Sequence, residues 1–262
     1  MAGGIVNSVV KTMQIVELLN AGGEMGVTEI ARESGFEKSL VFRMLNTLKS
    51  MHYVRQNPET LKYSNSYKFF EIGQNVIRQS GLPALALRFM GELSKAAASG
   101  SVNLAVRDEL MAVYVEQIES TGSITVCMKT GQSLPIYCSS VGKALIMWLD
   151  EERLAELTRA IDFVKHTPNT ITSPEKLLAD LKESRKRGFA IDDEEHLPGI
   201  TCVAAPIFDS RGEPVAAMGI ANPTVLVKTR KAVNALGRTV AASAAEFTAF
   251  LGGRSPKNGS EN

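Results

Sequence analysis

Apolar residues in the N-terminal quarter of the chain recur at the three- to four-residue spacing of amphipathic helices. This spacing predicts a first helix over residues 8–20, with Ser8 as its N-cap. A short second helix follows Thr28, which is its expected N-cap, and Gly35 stands where that helix is expected to end. A third helix is predicted over residues 37–51. The N-terminal part is therefore expected to contain three short helices in succession.

The pattern changes after the third helix to short runs that are typical of strands. Residues 53–55 (YVR) and 61–64 (LKYS) are strand-like, and the turn-rich segment 56–60 (QNPET) joins them. Helical spacing resumes over residues 66–80, which predicts a connecting helix. Three helices and a hairpin in this order are the layout of a winged helix-turn-helix.

The third predicted helix has an apolar and a polar side when its residues are placed ~100° apart. The apolar arc comprises Leu40, Val41, Met44, Leu45, Leu48 and Met51. The polar arc and its edges comprise Lys38, Ser39, Phe42, Arg43, Asn46, Lys49 and Ser50. An ordinary amphipathic helix with a solvated polar face has the same pattern, so the pattern alone leaves both interpretations open.

The chemistry of the polar arc favours a recognition helix that enters the major groove of DNA. Arg43 matches guanine and Asn46 matches adenine through paired hydrogen bonds, and Phe42 is suited to contact a thymine methyl. Residues 27–36 supply the preceding helix and turn that present this face outward. The other DNA-binding candidates, which contact a base or neutralise phosphates, are Lys38, Ser39, Lys49 and, on the wing, Lys62.

The larger C-terminal part alternates helical and strand-like patterns. Helices are predicted over residues 83–98, 141–149, 151–159, 174–187 and 229–250. Strands are predicted over residues 102–106, 112–116, 124–128, 202–208 and 215–220. Short turns join two pairs of these strands, and hairpins among helices indicate an α+β fold with an antiparallel sheet.

Charge is nearly balanced over the 262 residues, with a formal net charge of +1, but it is unevenly distributed. Residues 36–68 carry an excess of +4, whereas acids dominate residues 150–195. This shift, together with Gly and Pro in residues 79–83, predicts a boundary between two domains. The expected division is a winged helix-turn-helix domain over residues 1–65, a linker helix over 66–82, a ligand-sensing domain over 83–251 and a disordered tail over 252–262.

The composition of the chain limits where we expect the protein to act and which chemistry we expect it to perform. The chain has no apolar run of ~18 residues, no secretory signal and no metal-like CxxC spacing among its three cysteines, so we expect a cytoplasmic protein with no membrane partner. Gly142 and Lys143 lack the rest of a phosphate-binding loop, and there is no nucleophile elbow. No catalytic residue, cofactor or metal site is therefore predicted. The alternative interpretation is that three residues of the C-terminal part form either a metal-binding set or a Cys/His/Asp nucleophile set. These residues are Asp192, His196 and Cys202.

Segments in both parts of the chain resemble the isocitrate lyase regulator (IclR) family of bacterial transcription factors. The N-terminal segments are residues 7–11 (NSVVK), 27–31 (VTEIA) and 38–48 (KSLVFRMLNTL). The C-terminal segments are residues 134–144 (LPIYCSSVGKA), 188–196 (GFAIDDEEH) and 199–209 (GITCVAAPIFD). The resemblance is collinear over nearly the whole chain. It implies a winged-helix head that binds double-stranded operator DNA and a GAF-like effector domain.

The resemblance also implies that a small organic acid binds between the acidic loop, the start of the helix after Ser139 and the last two strands. The matching positions are Val126, Leu134, Ser140, Val141, Asp192, Ile200, Cys202, Gly219 and Ala221, and Met128 joins them because it shares a strand face with Val126. Members that bind very small 2-oxo acids carry serine at the positions of Gly219 and Ala221. The smaller side chains leave more room here, which favours an aromatic or sugar-derived acid. A merely solvated acidic loop is the alternative interpretation.

Two family positions differ in the recognition helix. The family usually carries Thr and then His or Tyr where this chain has Leu40 and Phe42, which predicts an altered base preference. The Arg43 position and the apolar arc are kept, so the prediction of DNA binding stands.

Together these features predict a ligand-responsive transcriptional regulator, a homodimer or homotetramer that binds a roughly palindromic operator and controls a catabolic operon. The modest positive charge of the head is the reason to expect two or more copies on one operator. The alternatives are a GAF-like enzyme or a metal-binding sensor, with the winged helix serving protein–protein assembly. Catalytic turnover without salt-dependent DNA binding would favour the enzyme. If the protein functions without Arg43 and Asn46, the interpretation of the winged helix as a protein–protein assembly module would be favoured.

Overall fold

The computed structural model describes residues 4–96, 100–119 and 128–256, and the chain divides into two compact units. Unit 1 is Met1–Ser80 and unit 2 is Gly81–Asn262. The division falls inside the segment 79–83, where Gly and Pro interrupt the helical pattern of the sequence.

Four helices and a two-stranded hairpin make up the described part of unit 1. They are α1 (Asn7–Gly22), α2 (Val27–Ser34), α3 (Lys38–Ser50), β1 (Val54–Gln56), β2 (Tyr63–Asn65) and α4 (Lys68–Ser80). The two strands pair antiparallel, with Arg55 opposite Ser64. This order of elements confirms the predicted winged helix-turn-helix. The last helix, α4, occupies most of the segment 66–82 that was predicted as a linker helix.

The buried side chains of unit 1 form one hydrophobic cluster among α1, α2, α3 and the hairpin. It comprises Ile15, Val16, Leu19, Ile30, Val41, Met44, Leu45, Leu48, Val54 and Tyr63. Four of the six residues predicted for the apolar arc of α3 belong to this cluster, and Leu40 packs against it while half-buried. The expectation for Met51 is wrong. Because α3 ends at Ser50, the Met51 side chain leaves the helical arc and is 56% exposed.

The helix starts in unit 1 also differ from the predicted caps. Ser8 and Thr28 both lie inside their helices, one residue past the start, so neither stands at an N-cap. At the start of α2, the Glu29 carboxylate accepts a hydrogen bond of 2.7 Å from the Gly26 amide instead. Gly35 ends α2 as predicted, with a left-handed φ of 70° that side chains with a Cβ disfavour.

Six strands, five α-helices and one short 3₁₀ helix (Thr224–Leu226) make up the described part of unit 2. The strands are β3 (Ser101–Asp108), β4 (Met111–Ile118), β5 (Ser133–Pro135), β6 (Ala190–Asp193), β7 (Ile200–Phe208) and β8 (Pro214–Pro223). The helices are α5 (Leu82–Ala96), α6 (Ser140–Ile146), α7 (Glu151–Ala160), α8 (Pro174–Arg187) and α9 (Arg230–Phe250). The strand order is β5-β4-β3-β8-β7-β6, and every neighbouring pair is antiparallel.

The sheet of unit 2 is covered by helices on both faces. One face packs against α6, α7 and α8, for example through Leu145, Leu154 and Leu177. The other face packs against α5 and α9, where Phe89 and Phe247 stack with their ring centroids 4.9 Å apart. An antiparallel sheet that is buried between helices confirms the predicted α+β fold.

Each of the five helices lies close to its predicted range, but the strands were predicted incompletely. Strand β5 was missed, and β6 includes Asp192 and Asp193, which the sequence placed in an acidic loop. The predicted strand over residues 124–128 lies outside the described residues except for Met128, which belongs to no strand. Residues 257–262 of the predicted tail also lie outside them. Where the chain is described, no helix is long and apolar enough to cross a membrane.

Candidate nucleic-acid interface and ligand cleft

The polar arc of α3 lies on the surface of unit 1. All six candidate DNA-binding side chains of this helix are exposed: Lys38, Ser39, Phe42, Arg43, Asn46 and Lys49. The opposite side of the helix is fixed by Val41 and Leu45, neither of which is exposed to solvent at all. The helix therefore offers hydrogen-bond donors, an acceptor and one aromatic ring on a surface with a firmly packed base.

The wing residue Lys62 has an ion-pair partner that the sequence did not indicate. Its ammonium group lies 3.4 Å from the Glu29 carboxylate, and that carboxylate also caps α2. The pKa of Glu29 is lowered, first by the hydrogen bond from the Gly26 amide and then by Lys62. Lys49 contacts the wing through a hydrogen bond of 2.9 Å from its Nζ to the side-chain oxygen of Gln56. The two lysines thus hold the wing against the helices.

Two exposed side chains near this surface were not among the predicted site residues. Thr47 lies on the exposed side of α3, where its hydroxyl donates a hydrogen bond of 3.0 Å to the Arg43 carbonyl. Arg55 is exposed on β1, and its Nε donates a hydrogen bond of 3.0 Å to the Ser64 hydroxyl. The helical angle of Thr47 was a usable signal, since it lies ~40° from that of Arg43, at the edge of the buried arc.

Unit 2 contains a cleft between the start of α6 and the loop that joins β6 to β7. Its described lining is Tyr114, Met128, Leu134, Ser139, Ser140, Asp192, His196, Leu197, Ile200 and Cys202. Six of the ten predicted ligand-binding residues lie here: Met128, Leu134, Ser140, Asp192, Ile200 and Cys202. Residues from four strands, a helix start and a loop therefore converge on one place.

The other four predicted ligand residues are not part of this described lining. Val126 lies outside the described residues, and Ala221 is buried on β8, beside the β7 strand of the cleft. Val141 lies on α6, and Gly219 lies on β8 beneath that helix. A Cβ at Gly219 would come within 2.8 Å of the Val203 carbonyl oxygen and 3.3 Å of Val141 Cγ1. The expectation that Gly219 widens the ligand space is wrong, because the neighbouring strand and α6 already fill that space.

Asp192 is the buried acid of the cleft. Its Oδ1 accepts a hydrogen bond of 2.7 Å from the Glu195 amide. Burial raises the pKa of Asp192 to about 7, and the negative charge of Glu195 adds to this rise. Cys202 stands opposite Asp192 in the strand register, and burial raises the pKa of its thiol well above the usual value. Near neutral pH the cleft thus contains a carboxyl group that is able to donate a hydrogen bond to an anion.

Lys143 holds the loop of the cleft to two helices. It lies on α6 with none of its side chain exposed, and its Nζ is 2.6 Å from Glu195 Oε1 and 3.1 Å from Asp180 Oδ2 on α8. The backbone carbonyl of Glu195 accepts further hydrogen bonds from the hydroxyls of Thr167 and Thr170, at 3.2 and 2.6 Å. The segment that carries Asp192 and His196 is therefore fixed by a buried charge cluster.

A group of metal-ligand side chains borders the cleft, and it differs from the set that the sequence offered. Among the described residues, Cys138, His166 and His196 place their ligand atoms within 4.8 Å of one another. Asp192 and Cys202, the other members of the sequence-based set, are not part of this group. His196 alone was anticipated.

Comparisons with known proteins agree for both units. A family model described as "IclR helix-turn-helix domain" matches residues 8–58, and one described as "Bacterial transcriptional regulator IclR C-terminal" matches residues 74–248. The chain is 34% identical over 220 residues to the HTH-type transcriptional regulator KdgR of Escherichia coli K12, covering 84% of this chain and 83% of that protein. It is 31% identical over 255 residues to the transcriptional repressor IclR of the same organism, covering 96% and 92%.

A solved structure has a similar fold over both units. The crystal structure of the Thermotoga maritima IclR superposes with a TM-score of 0.76 and 28% sequence identity, covering 94% of this chain and 99% of that one.

Proposed function

The chain belongs to the IclR family of bacterial transcriptional regulators, and on that basis we propose that it represses a catabolic operon until an organic acid binds unit 2. Its relatives are DNA-binding regulators, so the alternative of an enzyme is wrong. Several of them are named repressors, which favours repression as the mode of control. We propose a cytoplasmic location as well, since a bacterial regulator that binds operator DNA acts where that DNA lies.

The exposed face of α3 is the observation that carries the proposed operator binding. Arg43 and Asn46 are the side chains that specify bases through paired hydrogen bonds, and both are exposed on the same side of a helix whose opposite side is buried. Lys38 and Lys49 flank them and suit phosphate contacts.

We propose that a homodimer or homotetramer places two such helices on a roughly palindromic operator, in major grooves about 34 Å apart. The local excess of positive charge is modest, so two copies on one DNA are needed for useful affinity. Apolar side chains are available for self-association on the surface of unit 1. The most exposed of them on α1 and α4 are Val9, Met13, Phe70 and Val76.

Arg43 variants test the recognition-helix assignment. We expect Arg43→Ala to weaken operator binding by about 1–3 kcal/mol for each base that the guanidinium would hydrogen-bond, and to reduce discrimination against other DNA. Arg43→Lys keeps the charge but not the planar fork, so its specificity should fall nearly as far while its non-specific affinity is kept. The measurement is fluorescence anisotropy with operator and scrambled duplexes. Normal operator binding by Arg43→Ala would remove the assignment.

Lysine variants test the phosphate contacts separately. Lys49→Ala is expected to weaken binding to all duplexes alike and to reduce the slope of log K against log salt by about one. Lys62→Ala should have a smaller effect on both quantities, because Glu29 already offsets part of the Lys62 charge. Binding isotherms at several salt concentrations distinguish the two. An equal reduction of slope in both variants would show that the Lys62–Glu29 pair opens on DNA.

The proposed effector is an organic acid larger than a 2-oxo acid of two or three carbons. The cleft joins apolar side chains such as Tyr114, Leu134 and Ile200 to Ser140 and Asp192. Its described lining encloses a cavity of only about 10 Å³, so an acid with an apolar or extended body binds only if part of this lining moves aside. We expect calorimetry to show aromatic or sugar-derived acids binding at least tenfold more tightly than glyoxylate or pyruvate, and the bound acid to release operator DNA. Tight binding of the small acids alone would contradict this.

A pair of serine variants provides the control for the effector site. Ser140→Ala should weaken acid binding because a cleft hydroxyl is removed. Ser243→Ala, on α9 at the opposite face of the sheet, should leave binding unchanged.

A further inference from the structure

We infer that Asn103 is a specificity-determining residue of the ligand cleft and accepts a hydrogen bond from a hydroxyl group of the effector. This inference rests on the proposed effector function of unit 2, and it narrows the ligand to a hydroxylated organic acid. Asn103 lies on the interior strand β3 and is only 2% exposed. Its Nδ2 donates a hydrogen bond of 3.2 Å to the Ser101 carbonyl, but within the described part of the chain its Oδ1 has no hydrogen-bond partner.

The Asn103 side chain points to the face of the sheet that carries the cleft. Its neighbours Val102 and Leu104 belong to the cluster between the sheet and the helices α5 and α9. Because side chains alternate along a strand, Asn103 points to the other face together with Ala105. The cleft residue Tyr114 belongs to the same cluster as Ala105. Asn103 and the cleft therefore share one face of the sheet.

The strand register places Asn103 between the two sides of the cleft. Tyr114 lines the cleft from β4 and Cys202 lines it from β7, and β3 and β8 lie between those two strands in the sheet. Tyr114 pairs with Ala105, two residues after Asn103. Cys202 is aligned through β8 with Ser101, two residues before Asn103. Asn103 thus belongs to the floor between the lining residues of β4 and β7.

An open carbonyl acceptor in the floor selects a ligand that carries a hydrogen-bond donor. A carboxylate only accepts hydrogen bonds, so it cannot satisfy the Asn103 Oδ1, whereas a ligand hydroxyl can. A site with a buried polar group rejects analogues that lack the matching group, because the buried atom is then left without a partner. The ligand carboxylate is left to donors of the lining such as the Ser140 hydroxyl. Since the described lining encloses only about 10 Å³, the acid reaches the floor where part of that lining moves aside.

Asn222 offers a control of the same residue type on the opposite face of the sheet. It lies on β8 and is 2% exposed, and its Nδ2 has no hydrogen-bond partner among the residues that the structure describes. Its neighbour Ala221 packs on the cleft side, so Asn222 points toward α5 and α9. A change at Asn222 therefore perturbs a buried amide that does not face the cleft.

Calorimetry of the full-length protein with pairs of acids that differ in their hydroxyl groups tests the assignment. The pairs are mandelate with phenylacetate and gluconate with hexanoate. We expect the unmodified chain to bind the hydroxylated member of at least one pair about tenfold more tightly. In Asn103→Leu this preference should fall below about threefold, because the hydroxyl loses its acceptor. Asn222→Leu should keep the preference of the unmodified chain.

Urea unfolding of the same variants separates ligand recognition from a structural role of the amide. Asn103→Leu should be no less stable than the unmodified chain, since it removes an acceptor that no described residue satisfies. Asn103→Val, a smaller apolar variant, provides the same test where Asn103→Leu does not fold.

The outcomes distinguish this inference from the proposed function on which it rests. An unchanged preference in Asn103→Leu, loss of the preference in Asn222→Leu, or no preference in the unmodified chain would overturn the role of Asn103 and leave the effector site in place. Failure of all four acids to bind the unmodified chain would contradict the effector site itself, and the role of Asn103 with it.

Discussion

Replacing Lys143 by methionine is expected to lower the free energy of unfolding by about 3–5 kcal/mol, because the variant leaves Glu195 buried without its cation. The lysine side chain is wholly buried and lies 2.6 Å from Glu195 and 3.1 Å from Asp180. Burial already raises the pKa of Glu195, and Lys143 is the main group that opposes this rise. Urea unfolding of the full chain, followed by circular dichroism, measures the difference.

Two further variants control this experiment. Lys186→Met breaks an exposed pair with Glu183 on the surface of α8, and exposed pairs contribute at most about 1 kcal/mol. The double variant Lys143→Met/Glu195→Gln removes both buried charges and should recover part of the stability. A Lys143→Met chain as stable as the Lys186→Met chain would show that the buried cluster contributes nothing to stability.

The buried cluster has a consequence for the cleft as well as for stability. Lys143 on α6 pairs with both Glu195 and Asp180 of α8, and Glu195 lies in the same loop as His196. A loop fixed in this way keeps the cleft wall in one place before a ligand arrives, and such preorganisation reduces the entropy cost of binding.

The recognition helix was predictable because its signal is local. A period of 3.6 residues identifies the buried arc without knowledge of the rest of the fold, and the structure buries Val41, Met44, Leu45 and Leu48 accordingly. The prediction that Met51 is buried was wrong because helical periodicity does not show where a helix ends. Its side chain follows the backbone out of the arc at the C-cap.

The cleft was predictable only in part because its residues meet through long-range pairing. Acidic residues are typical of loops, yet Asp192 pairs with Cys202 inside the sheet, where a backbone amide satisfies its carboxyl group. The sequence predicted that the missing side chain of Gly219 leaves open space for a ligand, whereas α6 packs against this position. The approach of His166 to Cys138 depends on loop paths that no local pattern contains.

Replacing Asp192 by asparagine is expected to stabilise the protein, and the gain should grow with pH. Burial raises the native pKa of Asp192 from 3.8 to about 7, so the native state holds a proton that the unfolded state has already released. The stability of the unmodified chain therefore falls as pH rises from about 4 to 7 and levels off above 7. Asparagine does not ionise, yet it keeps an oxygen to accept the Glu195 amide. At about 1.4 kcal/mol per pKa unit, the difference in unfolding free energy should widen by roughly 2–3 kcal/mol between pH 5 and pH 8.

Urea unfolding of both chains at several pH values measures this difference, and Asp193→Asn serves as the neighbouring control because its side chain is exposed at the end of β6. That control should differ from the unmodified chain by the same small amount at every pH. The same protonated carboxyl group bears on the proposed effector, since a neutral Asp192 donates a hydrogen bond to an incoming anion whereas a charged one repels it. Organic acids should consequently bind the unmodified chain more weakly at pH 8 than at pH 6 and bind Asp192→Asn with little change over that range. A pH-independent stability difference together with unchanged acid binding at pH 8 would show that Asp192 is ionised in the native cleft.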